Sequence, residues 1–223
     1  MDENYETDSA QSNSDQSNSA ESNGAESNGA AEPRESIVFV GDTITAGGDW
    51  QSWFPEYAVN VETSPDDGTE RLNERLPAIV ELQPENLAIL IGGSDFGASR
   101  SVEYVVRSIE YFLAMVRQDV PGSRTLVQSI LPRGKEYADD IRDANRHLRQ
   151  YAQNVHAQYL DLWPAMATDE GELRPEFTGD RLHLTPVGYE AWLGELRPAL
   201  ERLHDAPPMS RPISIIRDGA VAS

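Results

Sequence analysis

The 223-residue chain contains no cysteine. Disulfides, thiolate nucleophiles and cysteine metal sites are therefore excluded. Lysine is nearly absent: Lys135 is the only one, and the other 17 basic residues are arginine. Bases are scarce overall, 18 against 38 acids, which gives a formal net charge of -20. An acidic field of that size repels phosphate backbones and anionic lipid surfaces, so nucleic acid and membranes are poor partners. No apolar run approaches the roughly 20 residues of a membrane-spanning helix. The opening Met1-Asp2-Glu3-Asn4 lacks the basic and apolar regions of a secretory signal, so the expected location is the cytoplasm. Metal motifs are missing as well: His147 and His156 stand nine apart, and there is no HExxH or HxxxH pattern.

What the chain does have is divided unevenly. Residues 1–35 hold nine acids and one base, Arg34, so this segment carries -8 and the remainder -12. Within it, QSNSDQSNSA and ESNGAESNGA are near-duplicated five-residue units rich in Ser, Asn and Gly. Such a composition buries too little apolar surface to offset chain entropy, so residues 1–35 are expected to be a disordered acidic tail. Residues 36–204 are expected to form one folded domain. Residues 205–223 follow as a C-terminal extension, in which ISII at 213–216 reads either as an edge strand or as tail.

From Ser36 onward the pattern changes. SIVFVG at 36–41 is a β-branched and aromatic run ending in glycine, the signature of a buried strand. EYAVNV (56–61), NLAILIGG (86–93), RTLVQSIL (124–131) and the weaker VHAQYLDL (155–162) read as further strands. Between them, helical spacing is visible over 69–82, 101–118 and 137–153. A last helix over 185–203 begins with Thr185 as N-cap and Pro186 at its first position, although Gly188 in that first turn is unfavourable. Strands alternating with helices predict a parallel sheet covered on both faces: an α/β, three-layer α/β/α sandwich with about five strands. In such sheets ligands bind outside the carboxyl ends of the strands.

Three segments fall at that edge: GDTITAGGDW (41–50), IGGSDFG (91–97) and DRLHLTPVGY (180–189). In the last, Asp180 stands three residues before His183, a spacing that lets a carboxylate hold an imidazole when the segment curls. The same spacing also suits a simple capping or surface pair. Thr43 follows a Gly-Asp turn, where a nearby histidine could activate its hydroxyl, or where its oxygen could cap a helix. GDTITAGG lacks the lysine of a phosphate loop, and no GxGxxG follows the first strand, so no cofactor is expected.

These blocks, in this order, resemble the SGNH, or GDSL, hydrolases, in particular their platelet-activating-factor acetylhydrolase-like branch. GDTITAGG is similar to the family's GDSITAGG block, IGGSDF to its GGND block, and DRLHLTPVGYEAW (180–192) to its DxxH block with the helix that follows. SILPRG (129–134) and Asn145 extend the resemblance, which covers about residues 36–203.

The resemblance implies a flavodoxin-like strand order and hydrolysis of a small-molecule or carbohydrate ester carrying a short acyl group. It implies Thr43 as nucleophile, His183 as base and Asp180 as its orienter. The oxyanion donors would be the Thr43 backbone N–H, the residue at 94 and a glycine after the second strand, for which Gly68 is the candidate. Asp42, Gly93 and Asp95 would shape the site. The chain departs from the family at three points, one being that no glycine falls cleanly at the expected place after the second strand, so that Gly68 serves only if that loop carries an insertion. The usual serine is Thr43, whose β-methyl restricts χ1, and the usual oxyanion asparagine is the shorter Ser94. Two readings follow: an active esterase, or an SGNH domain kept for binding.

Overall fold

The computed structural model describes residues 34–63 and 68–208. The acidic repeats up to Pro33 and the ISII stretch lie outside the described residues.

Five strands, β1 (Ser36–Gly41), β2 (Ala58–Thr63), β3 (Asn86–Leu90), β4 (Arg124–Gln128) and β5 (Gln158–Leu160), pair in parallel in the order β2-β1-β3-β4-β5. This is the flavodoxin-like order implied above. The helices are α1 (Thr43–Ala46), α2 (Trp50–Trp53), α3 (Leu76–Leu82), α4 (Gly93–Gly97), α5 (Val102–Asp119), α6 (Ala138–Asn154), α7 (Trp163–Met166) and α8 (Pro186–His204).

The apolar strands carry two faces in alternation, because successive side chains of a strand point to opposite sides. Val38 and Val40 of β1, Leu87 and Ile89 of β3 and Val127 of β4 join one core with Ile79 of α3, Val105, Ile109 and Phe112 of α5, and Ile141 and Leu148 of α6. Ile37, Phe39, Ala88, Leu90 and Leu126 join the other with Trp50, Met166, Trp192 and Leu196 from α2, α7 and α8. Both faces are covered, so the fold is the expected three-layer sandwich. Removing a buried Ile or Leu from either layer costs about 2–5 kcal/mol.

Among the boundaries that differ from the sequence pattern, three have a local reason. The helix expected over 69–82 is 3-10 from Thr69 to Arg75 and α only from Leu76. Pro77 has no N–H and cannot continue an α-helix begun at 69, so the helix starts afresh around it. The fifth strand is three residues long because its expected start is spent leaving α6. The Val155 and Ala157 N–H groups bond back to Tyr151 and Ala152, with His156 at φ 59°. β2 starts two residues late, since the Tyr57 N–H closes a turn onto Phe54. At the domain's start, Glu35 accepts from Asn86 Nδ2 and contacts His204, tying this residue to the folded body.

Candidate active site

The carboxyl ends of β1, β3 and β4 position the site. β1 runs into a turn in which Asp42, fully buried, caps α1: its Oδ1 accepts the Ile44 N–H at 3.1 Å. Asp42 is thus the capping residue, and Thr43 is the first residue of the helix and half-buried. The turn is held from below by Trp50. Its Nε1 donates to the Thr45 carbonyl at 2.6 Å, and its ring stacks on Phe39 and meets the edge of Trp192. Trp50 is thus buried against the sheet.

The side expected to face an oxyanion is built from two loops. Asp95, on α4, accepts from both the backbone N–H (3.0 Å) and the hydroxyl (2.8 Å) of Thr69. That clasp brings the segment after β2 against the segment after β3. Gly68 is pressed so closely on Asp95 that a Cβ there would lie 2.8 Å from its Oδ1. Gly68, Ser94 and Asp95 line one small cleft of about 80 Å³. The position of Gly68 beside Ser94 therefore comes from a tertiary clasp that its sequence spacing does not reveal. Gly93 packs on Asp42, with 4.0 Å from a Cβ at Gly93 to Asp42 Oδ2.

Two residues behind this wall fix it. Arg133 donates to the Gly93 carbonyl at 2.8 Å, so it braces α4. Asn145 reaches from α6 and bonds both the N–H (2.8 Å) and the carbonyl (2.9 Å) of Ile130, locking the loop after β4.

The third segment carries the Asp–His pair. Asp180 Oδ2 lies 2.7 Å from His183 Nδ1, while its Oδ1 accepts the N–H groups of Leu182 (2.9 Å) and His183 (2.8 Å). One carboxylate thus closes the turn and holds the ring. The turn places Arg181 at φ 63°, a left-handed conformation that costs a non-glycine residue about 1–2 kcal/mol. The His183 side chain and the backbone bonds hold the Asp180 carboxyl well below the usual carboxylate range. Both residues are exposed, and His183 Nε2 makes no hydrogen bond among the described residues.

α8 then starts as expected, with Thr185 Oγ1 accepting the Gly188 N–H at 3.2 Å. The unfavourable glycine has a reason: a Cβ at 188 would lie 2.6 Å from the Phe177 carbonyl, so only glycine lets this turn close onto that segment. One residue on, Tyr189 donates its hydroxyl to the Ile44 carbonyl at 2.7 Å, which binds the Asp–His segment to the Thr43 turn.

Asp42 is electrostatically unusual. Its Oδ2 is buried and unbonded among the described residues. Burial raises its carboxyl to about 6, and the Asp95 charge adds to that rise. Asp95 is raised in the same direction by burial, against the lowering effect of the Thr69 bonds. No three His, Asp or Glu side chains group as a metal site among the described residues, and no described helix is long and apolar enough to cross a membrane.

Comparison with known proteins covers the folded region that holds these segments. The model of the GDSL-like Lipase/Acylhydrolase family matches residues 39–191. Platelet-activating factor acetylhydrolase IB subunit alpha1 from Homo sapiens is 26% identical over 179 residues, covering 75% of this chain and 76% of that protein. The protein of the same name from Bos taurus matches equally, at 26% over 179 residues, 75% of each chain. Among solved structures, a GDSL-like lipase from Bacteroides thetaiotaomicron superposes with a TM-score of 0.68 at 19% identity, over 75% of this chain and 88% of that one. A lipase/acylhydrolase from Enterococcus faecalis superposes at 0.63 and 20% identity, over 79% and 99%. At these identities the superpositions speak for the fold.

Proposed function

The chain belongs to the GDSL-like lipase/acylhydrolase family, and we propose that it hydrolyses carboxylic esters carrying a short acyl group through Thr43, His183 and Asp180. The observation that carries this reading is the Asp180–His183 pair at 2.7 Å, on a segment bonded to the Thr43 turn through Tyr189 and Ile44. A carboxylate on Nδ1 fixes the ring's tautomer and leaves Nε2 as a base.

In the proposed reaction, Thr43 Oγ1 attacks the ester carbonyl carbon while His183 Nε2 takes its proton. The resulting oxyanion is held by the Thr43 N–H, the Gly68 N–H and the Ser94 hydroxyl. Collapse breaks the ester C–O bond, and His183 returns the proton to the departing alcohol. Water, deprotonated by His183, then attacks the acyl-threonine, releasing the carboxylic acid and restoring Thr43.

The β-methyl of Thr43 and the short side chain of Ser94 favour a second reading, in which the domain is retained for binding. A fluorophosphonate probe separates the two, because it reports on an activated nucleophile without a known substrate. Labelling on Thr43 that is lost in His183→Ala, with turnover of nitrophenyl acetate lost in Thr43→Ala, supports the hydrolase. Absence of both label and turnover in the wild type sinks it. Asp180→Asn, which misorients the imidazole, is expected to lower kcat by about 10³–10⁴.

A further inference from the structure

Beside the Asp–His segment runs a groove of about 430 Å³ between the end of α1, α2 and the start of α8. Its walls are mostly apolar: Trp53, Leu184, Tyr189 and Leu193, with Gly47 at one end. Trp53 and Tyr189 form a continuous aromatic surface, their ring centroids 5.4 Å apart. Trp53 and Leu184 are half-buried, so apolar area remains open to solvent here. Glu190 is the charged residue among the walls.

Two of the groove's walls belong to the segments that carry the proposed catalytic residues. Leu184 directly follows His183, and Gly47 closes the turn that Thr43 opens, its N–H bonded to the Thr43 carbonyl at 3.1 Å. The Tyr189–Ile44 bond joins these two walls. A base that returns its proton to the leaving oxygen must sit beside that oxygen. The arm of the substrate that continues past His183 is therefore the alcohol arm. We propose that this groove receives the alcohol arm of the ester, and that the substrates are short-acyl esters of apolar, uncharged alcohols. The Glu190 carboxylate disfavours an anionic arm by like-charge repulsion. This rests on the ester-hydrolase reading for its reaction, but not for its binding.

Two measurements on the full chain test it. In the first, octan-1-ol is titrated calorimetrically. Saturable binding is expected, weakened at least tenfold by Trp53→Ala and by Leu184→Ser, and octanoate should bind more weakly than the alcohol. In the second, kcat/KM is followed along the acetate esters of ethanol through octan-1-ol. A rise of about threefold to fourfold per methylene is expected until the groove is filled, with a flatter slope in both variants. No octanol binding by the wild type, binding unchanged in both folded variants, or a kcat/KM that does not rise along the alcohol series would overturn the assignment. Octanol binding without any ester turnover overturns the hydrolase reading alone. Turnover without octanol binding overturns the groove alone.

Discussion

Tyr189 and Ile44 are 145 residues apart in the chain, and a 2.7 Å hydrogen bond from the phenol to the carbonyl joins them. Ile44 is the neighbour of Thr43, and Tyr189 is six residues beyond His183, so this bond sets the distance between the two halves of the proposed catalytic pair. The phenol is partly buried, and burial raises its ionisation to about 12, so it stays a donor across the physiological range. Tyr189→Phe keeps the ring and removes the bond. A loss of about 1–2 kcal/mol in stability is expected, together with a fall in kcat of up to about 100-fold from displacement of His183 relative to Thr43. Denaturant unfolding and nitrophenyl acetate kinetics check it; unchanged kcat would show that the bond is structural only.

Gly68→Ala probes the clasp on the proposed oxyanion side. The added Cβ would fall 2.8 Å from Asp95 Oδ1, a contact that forces either Asp95 or the 68–69 backbone to move. Overpacking of this kind costs about 1–3 kcal/mol. Because Asp95 also holds Thr69, the shift is expected to carry the Gly68 N–H away from Ser94 and to reduce turnover more than substrate binding. The measurement is stability by chemical denaturation alongside kcat and KM.

Asp42 gives a pH signature. Burial raises its carboxyl to about 6 in the folded chain, against about 3.9 for an unperturbed aspartate. The folded state therefore holds this proton more tightly than the unfolded state does. Its contribution to stability is complete below about pH 4 and is lost as pH rises to about 6. The loss is on the order of 3 kcal/mol. Asp42→Asn preserves the Oδ1 acceptor for the Ile44 N–H and removes the titration. Relative to wild type, the variant should gain stability between pH 4 and pH 7.5; a constant difference across that range would contradict the buried charge.

Much of this architecture is legible in the sequence because it is local. Buried parallel strands announce themselves as unbroken apolar runs, as SIVFVG does, and Asp180 to His183 lies within a single turn. Thr185 with Pro186 marks the start of α8 by capping chemistry alone. What is illegible depends on contacts far apart in the chain. Gly188 reads as a defect until the Phe177 carbonyl is seen against it. Gly68 has no distinguishing spacing, because its place is set by Asp95, 27 residues on. The capping role at α1 falls to Asp42 rather than Thr43, a choice between adjacent residues that depends on which side chain is turned back to the Ile44 N–H.

Thr43 and Ser94 differ from the residues that the family resemblance implies in opposite senses, one by an added methyl and the other by a shortened donor, so their reversals should help by different routes. Thr43→Ser frees χ1 of the proposed nucleophile and is expected to raise kcat by up to about 100-fold, the scale of a 1 Å correction in approach. Ser94→Asn lengthens the donor toward the oxyanion, and one such donor is worth about 10²–10³ in turnover. Neither change replaces a fully buried group, since both side chains are half-buried, so stability should move by less than about 0.5 kcal/mol. In the proposed reaction both act on one tetrahedral intermediate, and the double variant is therefore expected to depart from the product of the single effects. The four proteins, compared by kcat and KM on nitrophenyl acetate, decide the matter. A gain from Ser94→Asn alone identifies the missing donor as the limiting defect, and a gain from Thr43→Ser alone identifies the methyl. If neither single variant nor the double exceeds wild type, Thr43 is not acting as the nucleophile of an SGNH site.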